Sequence, residues 1–253
     1  MNQILVTEKL YVTPELKKKK KMYKINFILS LIIIVLIVSI YFYIDYKRNK
    51  SAQVSEQILA DINQTQEEVE KTKKKAQSEV LTVVLNNAQE DLKVESLEST
   101  DNYETLRDKK QTTEDGYSYY TIAKIEIPKL NLNYPIIEGE TGSEKETEEL
   151  LKLSPCKFHG PQPNEVGNFC IVGHNYRDNR FFSKVKNLVV GDTIQITDLS
   201  KRTITYQVYD KHTVDPNDTK DTTQWTGGKK EVTLITCTDD SSLRIIVKCK
   251  EVK

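Results

Sequence analysis

A thiol, an imidazole and a guanidinium are the groups in this chain whose types and spacing suit covalent chemistry. Cys237 follows Val232-Thr233-Leu234-Ile235-Thr236 and precedes Thr238-Asp239-Asp240-Ser241-Ser242, so it stands where a buried strand opens into a polar loop. The strand would fix the sulfur and the loop would leave it reachable. Alone the signal is weak, because an isolated cysteine is more often an inert core residue. His174 closes Ile171-Val172-Gly173-His174, again a strand running into a polar loop, with Gly173 allowing a close approach of backbone or substrate. The other histidines are His159, in Phe158-His159-Gly160-Pro161, and His212, within a strand-like run. A cysteine and a histidine, each at a strand end, supply the nucleophile and the acid or base that thiol chemistry needs. Arg244 comes seven residues after Cys237. A hairpin between the two would bring its guanidinium beside the thiol, to donate to a developing oxyanion or to hold a substrate carbonyl. The same spacing suits a surface salt bridge with Asp239 or Asp240 equally well.

The elements that must hold these groups are strands. Residues 117–127 alternate aromatic or branched residues with polar ones, and Pro128 ends the run. Further strand patterns cover 133–137, 168–173, 193–197, 202–214, 231–236 and 243–252, separated by Gly, Pro, Asn and Asp clusters. A short helix is expected at 147–153 and another turn at 181–185. Many short strands without alternating long helices predict a barrel or sandwich rather than a parallel sheet.

Upstream, residues 25–44 read INFILSLIIIVLIVSIYFYI, an uncharged run of twenty. At about 1.5 Å per residue such a helix crosses a hydrocarbon core of about 30 Å. A cleavable signal peptide is the alternative, but it needs a shorter apolar run and a small-residue cleavage site, whereas this run leads into Tyr41-Phe42-Tyr43-Ile44. Lys17 to Lys21 and Lys24 precede the run, while Lys47, Arg48 and Lys50, offset by Asp45, follow it. That bias predicts a cytoplasmic N-terminus. Residues 45–115 are polar, with apolar positions such as Ile58, Ile62, Val69, Ala76, Val80 and Val84 at helical spacings. They read as a stalk helix, a loose coiled coil or a partly disordered linker. The expected organisation is a cytoplasmic basic tail (1–24), a transmembrane anchor (25–44), an extracellular helical stalk or linker (45–115) and a catalytic domain (116–253).

Over the 253 residues, 37 basic and 37 acidic side chains cancel, so net charge selects no partner. No nucleic-acid partner is expected. Four cysteines in an exported domain permit two disulfides. A nucleophilic Cys237 must stay free, so Cys156, Cys170 and Cys249 are expected to be reduced small hydrophobes, with a Cys156 to Cys170 bridge as the open alternative.

The residues resemble a known family. VTLITCT at 232–238 is similar to the TLxTC signature of sortases, and Gly167 to His174 is similar to their GN-strand-GH segment. Ile125-Glu126-Ile127-Pro128-Lys129-Leu130, with Tyr134-Pro135-Ile136 and Glu138-Gly139, resembles the opening strands of that domain, and Val214, Pro216 and Asp218 match a V-x-P-x-D stretch. The resemblance covers about residues 117–253 and implies an all-β-dominated fold, an eight-stranded β-barrel with short helices. It implies Cys237 as nucleophile, His174 as the family histidine and Arg244 as the arginine of the final strand. Thr236 and Asn175 are the candidate substrate-binding positions. It also implies cleavage of a C-terminal LPxTG-like sorting signal on secreted proteins through a thioester. The chain would then be joined to a peptidoglycan-type amine acceptor, with no cofactor and no metal. Calcium could bind the acidic stretch 144–149 as in some relatives, but a solvated helix face is the preferred reading. Asn175 stands where many relatives carry Arg. No Asp-Pro-aromatic lid precedes the domain and no second hydrophobic span follows it, which argues against the typical pilus-polymerising subclass.

Two other readings differ in kind. A cell-wall or papain-like cysteine hydrolase would normally place its cysteine first, on a helix N-terminus, with the histidine later; here His174 precedes Cys237. A membrane-tethered, non-catalytic scaffold would not need Cys237, His174 and Arg244 intact.

Overall fold

The computed structural model describes residues 14–86 and 109–252. Contacts divide the chain into two units, Met1–Lys50 and Ser51–Lys253. Helix α1, Pro14–Asn86, begins in the first and continues into the second. Within it the side chains from Ile25 to Ile44 are exposed, and the helix is long and apolar enough to cross a membrane. Of the 45–115 stretch expected to be a stalk, residues 87–108 lie outside the described residues, as do the side chains of Val69, Ala76, Val80 and Val84.

Among the described residues nine strands follow: β1 Gln111–Thr112, β2 Ser118–Ile127, β3 Leu132–Gly139, β4 Cys156–His159, β5 Gly167–Val172, β6 Thr193–Asp198, β7 Thr203–Val214, β8 Lys230–Cys237 and β9 Arg244–Glu251. They hydrogen-bond in the order β1-β2-β3-β4-β5-β8-β9-β7-β6, and β6 pairs back onto β2. Strands β2 to β9 therefore close into an eight-stranded barrel, as expected, with β1 as a two-residue addition beside β2. Closure leaves the main strands without a free edge.

Alternation explains the interior. On β8 and β9, Val232, Leu234, Ile245, Val247 and Cys249 point inward and join Phe169 and Ile171 of β5 in one buried cluster. A register shift between Thr121 and Ala123 breaks the alternation of β2, so Ile122 and Ala123 both reach that cluster while Tyr119 faces a second one outside the barrel. The second cluster is where α1 matters. Ile58 and Ile62 are 3% and 4% exposed and pack against Tyr119, Ile137, Leu150, Leu151 and Cys156. The helical spacing of Ile58 and Ile62 thus serves a face applied to the barrel.

The short helix α2, Glu144–Leu150, starts three residues earlier than the apolar pattern suggests. Ser143 caps it by accepting from Glu146 N, and the buried Glu146 carboxylate reaches back to the backbone N–H groups of Glu140, Thr141 and Gly142. Ser143 and Glu146 form the S-x-x-E start signal in the sequence.

Candidate active site

Cys237 ends β8 and Arg244 begins β9, and the antiparallel register sets them directly opposite each other. Residues so paired carry their Cβ atoms about 4.5–5.5 Å apart on one face. Because Val232, Leu234, Ile245 and Val247 point into the core, Cys237 and Arg244 point outward, both half-buried. The intervening loop is closed by Thr238 N donating to Leu243 O at 3.0 Å. Thr238 and Ser242 donate to the Asp240 carboxylate and hold its pKa down at about 2.

Strand β5 runs parallel to β8 up to the pair Val172 and Ile235. Beyond it, Gly173 N donates to Ile235 O at 3.0 Å and Asn175 Nδ2 donates to Cys237 O at 3.0 Å. His174 therefore sits between two residues that are both tied to the end of β8. Its own carbonyl accepts from Phe182 N at 3.1 Å. Gly173 faces inward, where the Phe182 ring comes so near that a Cβ would lie 2.5 Å from Phe182 Cγ. The close approach that a glycine at this position permits is thus made by a core aromatic. Burial pushes the His174 imidazole below its ordinary pKa; Glu148 opposes the shift and Lys152 adds to it.

The alternative role for Arg244, a salt bridge to the neighbouring aspartates, is not the one adopted. Asp239 accepts from Asn175 Nδ2 at 2.9 Å and from Lys186 Nζ at 2.6 Å, and Asp240 is engaged by its own loop. Among the described residues no hydrogen bond or ion pair engages the Arg244 guanidinium, the Cys237 thiol or the His174 ring.

Thr236 differs from the sequence expectation. It is 1% exposed and its Oγ1 donates inward to Gly173 O at 2.8 Å, so it ties β8 to β5 and does not open onto the outer surface. Alternation requires this, because a neighbour of an outward Cys237 points inward. Asn175 spends its amide inside the protein: Nδ2 on Cys237 O and Asp239, and Oδ1 accepting from Arg177 N.

All four cysteines are free. Cys156 and Cys249 are buried with thiol pKa values pushed up by burial, and Cys170 is pushed up to about 12 for the same reason. Cys237 is the one that burial does not enclose. No group of His, Cys, Asp and Glu among the described residues is arranged to hold a metal ion.

The loop between β7 and β8 flanks the same face. His212, opposite Ile246 on β9, sits between Asp210 (3.0 Å) and Asp221 (2.9 Å), and Lys248 Nζ also reaches Asp221 at 3.3 Å. Asp221, and to a smaller extent Asp210, raise the His212 pKa. Sequence reasoning passed over Tyr176 and Phe182, whose rings lie against His174 and Gly173. The signal available was Tyr176 two residues and Phe182 eight residues after the histidine.

A family model described as Sortase domain matches residues 125–252. No curated protein matches the chain. Among solved structures, the chain is similar to a Clostridium perfringens sortase D5 transpeptidase, with 29% identity over 62% of this chain and 91% of that one and a TM-score of 0.49. It is also similar to Streptococcus agalactiae sortase C1 in complex with MTSET, with 26% identity, coverage of 52% and 69%, and a TM-score of 0.45. A third is Clostridium perfringens sortase C with the C-terminal cell wall sorting motif, at 22% identity, coverage of 53% and 71%, and a TM-score of 0.45.

Proposed function

The chain belongs to the sortase family, and from that premise we propose that it is a membrane-anchored transpeptidase with Cys237 as nucleophile, His174 as acid and base, and Arg244 as the carbonyl-holding cation. Residues 25–44 would anchor it, with the N-terminus cytoplasmic and the barrel outside. The observation that carries the reading is the row formed by His174, Cys237 and Arg244 at the ends of β5, β8 and β9, with no hydrogen bond or ion pair to any of the three side chains among the described residues.

In the proposed reaction a secreted protein presents a C-terminal LPxTG-like sorting signal. Burial pushes the His174 imidazole below its ordinary pKa, and in this reading it takes the proton as Cys237 Sγ attacks the threonine carbonyl. Arg244 donates to the oxygen that gains charge. The threonine–glycine C–N bond breaks, His174 returns the proton to the departing amine, and a thioester remains. A peptidoglycan-type amine then attacks and gives its proton to His174, which passes it to the departing Cys237 sulfur as the new amide forms.

The test uses the full chain in detergent with a fluorescent LPxTG-like peptide. Wild type is expected to form a covalent adduct that hydroxylamine releases and that Cys237→Ala does not form. Adding an amine acceptor should convert product from free acid to amide, which separates transpeptidase from hydrolase. Equal labelling of wild type and Cys237→Ala would remove Cys237 from the role.

A further inference from the structure

We propose that Tyr176, braced by Arg180, is the positioning residue for the His174 imidazole; the inference rests on the catalytic role assigned to His174 above. A general base is ordinarily oriented by a third group that hydrogen-bonds its far nitrogen. Here no hydrogen bond or ion pair to the His174 ring exists among the described residues. The ring is met instead by Tyr176, with centroids 5.1 Å apart and planes at 59°. Tyr176 is itself clamped: Phe181 lies 5.5 Å away on one side, and the Arg180 guanidinium sits 4.4 Å over its ring. Phe181 in turn meets Tyr134 of β3 edge-on at 5.1 Å, which ties the stack to the barrel.

The guanidinium is fixed as well. Arg180 Nε donates to Asp178 Oδ2 at 2.9 Å, and Nη2 lies 2.7 Å from the same oxygen. Arg177, Asn179 and Phe181 all hold left-handed φ values of 60°, 72° and 48°. Non-glycine residues take that conformation when their surroundings impose it. Residues 175–181 are thus wound tightly, closed by the bridge between Asn175 and Phe181, in a shape that delivers one aromatic face to His174. Side-on packing restricts the imidazole to one orientation and shields it from water, and burial is the leading cause of its lowered pKa. The charged groups that also bear on His174 are Glu148 of α2 and Lys152 just beyond its end.

Three measurements on the full chain in detergent test this. Tyr176→Ala should lower kcat for peptide cleavage about ten-fold with KM unchanged, because a loosened base is misaligned and substrate binding is untouched. The chain has three histidines, so the imidazole signals of a histidine-labelled sample can be followed individually by NMR. In Tyr176→Ala the His174 titration should move up toward about 6.5, while His159 and His212 stay in place. Tyr176→Phe, which keeps the ring, should restore both kcat and titration. Tyr176→Leu, which keeps apolar bulk without an aromatic face, should show the same defect in milder form and serves if the alanine variant does not fold. A folded Tyr176→Ala or Tyr176→Leu with wild-type kcat and an unmoved His174 titration overturns the proposal, as does a Tyr176→Phe as impaired as the alanine variant. His174→Ala separates the two levels. If it is inactive while Tyr176→Ala is normal, the positioning role alone falls; if it turns over at the wild-type rate, the role of His174 itself falls.

Discussion

Gly173→Ala probes the link between core packing and the site most directly. The added methyl would lie 2.5 Å from Phe182 Cγ and 2.6 Å from Cδ2. Carbon atoms in contact normally sit about 3.5–4.0 Å apart, so the ring must retreat by about 1 Å. Phe182 is fully buried in the main cluster, so its ring can retreat only against other core side chains. Overpacking of this kind costs about 1–3 kcal/mol. The displacement also reaches the site, because Phe182 N donates to His174 O at 3.1 Å and would draw His174 with it. A shift of about 1 Å at a reacting group can lower a rate about 100-fold. Urea unfolding followed by circular dichroism reads the first effect, and the single-turnover rate of thioester formation reads the second. The double variant Gly173→Ala with Phe182→Leu makes room for the methyl and should lose less stability than the two single variants added together. A Gly173→Ala protein with wild-type stability and rate would refute the reasoning, since it would mean the ring does not occupy that space.

Two further outcomes are expected. Replacing Ile58 and Ile62 by Ala should destabilise the barrel unit by about 2–5 kcal/mol per site, because both are buried against Tyr119, Ile137, Leu150 and Leu151; an unchanged denaturation midpoint would show that α1 does not pack there. His212 has a folded pKa raised by Asp221 and Asp210, so its contribution is complete below the unfolded value of about 6.5 and is lost as pH rises through the raised folded value. Amides of the loop around 219–224, corrected for intrinsic rate, should therefore exchange faster as pH rises from about 6 to 8, and His212→Gln should abolish that dependence. Exchange that stays independent of pH in the wild type would contradict the role.

Several features were legible in the residues alone because they depend on near neighbours. Alternation placed seven of the strands, since a two-residue period is a local property of a chain with one face buried. The VTLITCT and GN-strand-GH segments identified the family and put the thiol and the imidazole at strand ends. An uncharged run of twenty residues marked the candidate span without any knowledge of the barrel.

What the residues could not reveal depended on partners distant in the chain. β4, only Cys156–His159, is a strand because Val172, Ile171 and Cys170 pair with it, and four residues carry too little period to announce that. Ile58 and Ile62 read as a stalk stripe until Tyr119 and Leu150 supply the surface they cover. Thr236 looked like part of an open site, but only the register of β8 against β5 decides that its hydroxyl is buried on Gly173 O. In the same way Asp239 and Asp240 were candidate partners for Arg244 by sequence distance. Lys186, 53 residues from Asp239, and the loop's own hydroxyls occupy them instead. A side chain's type and direction are written locally, whereas which charge, ring or carbonyl it meets is set by strand register and barrel closure, which bring distant residues within bonding range.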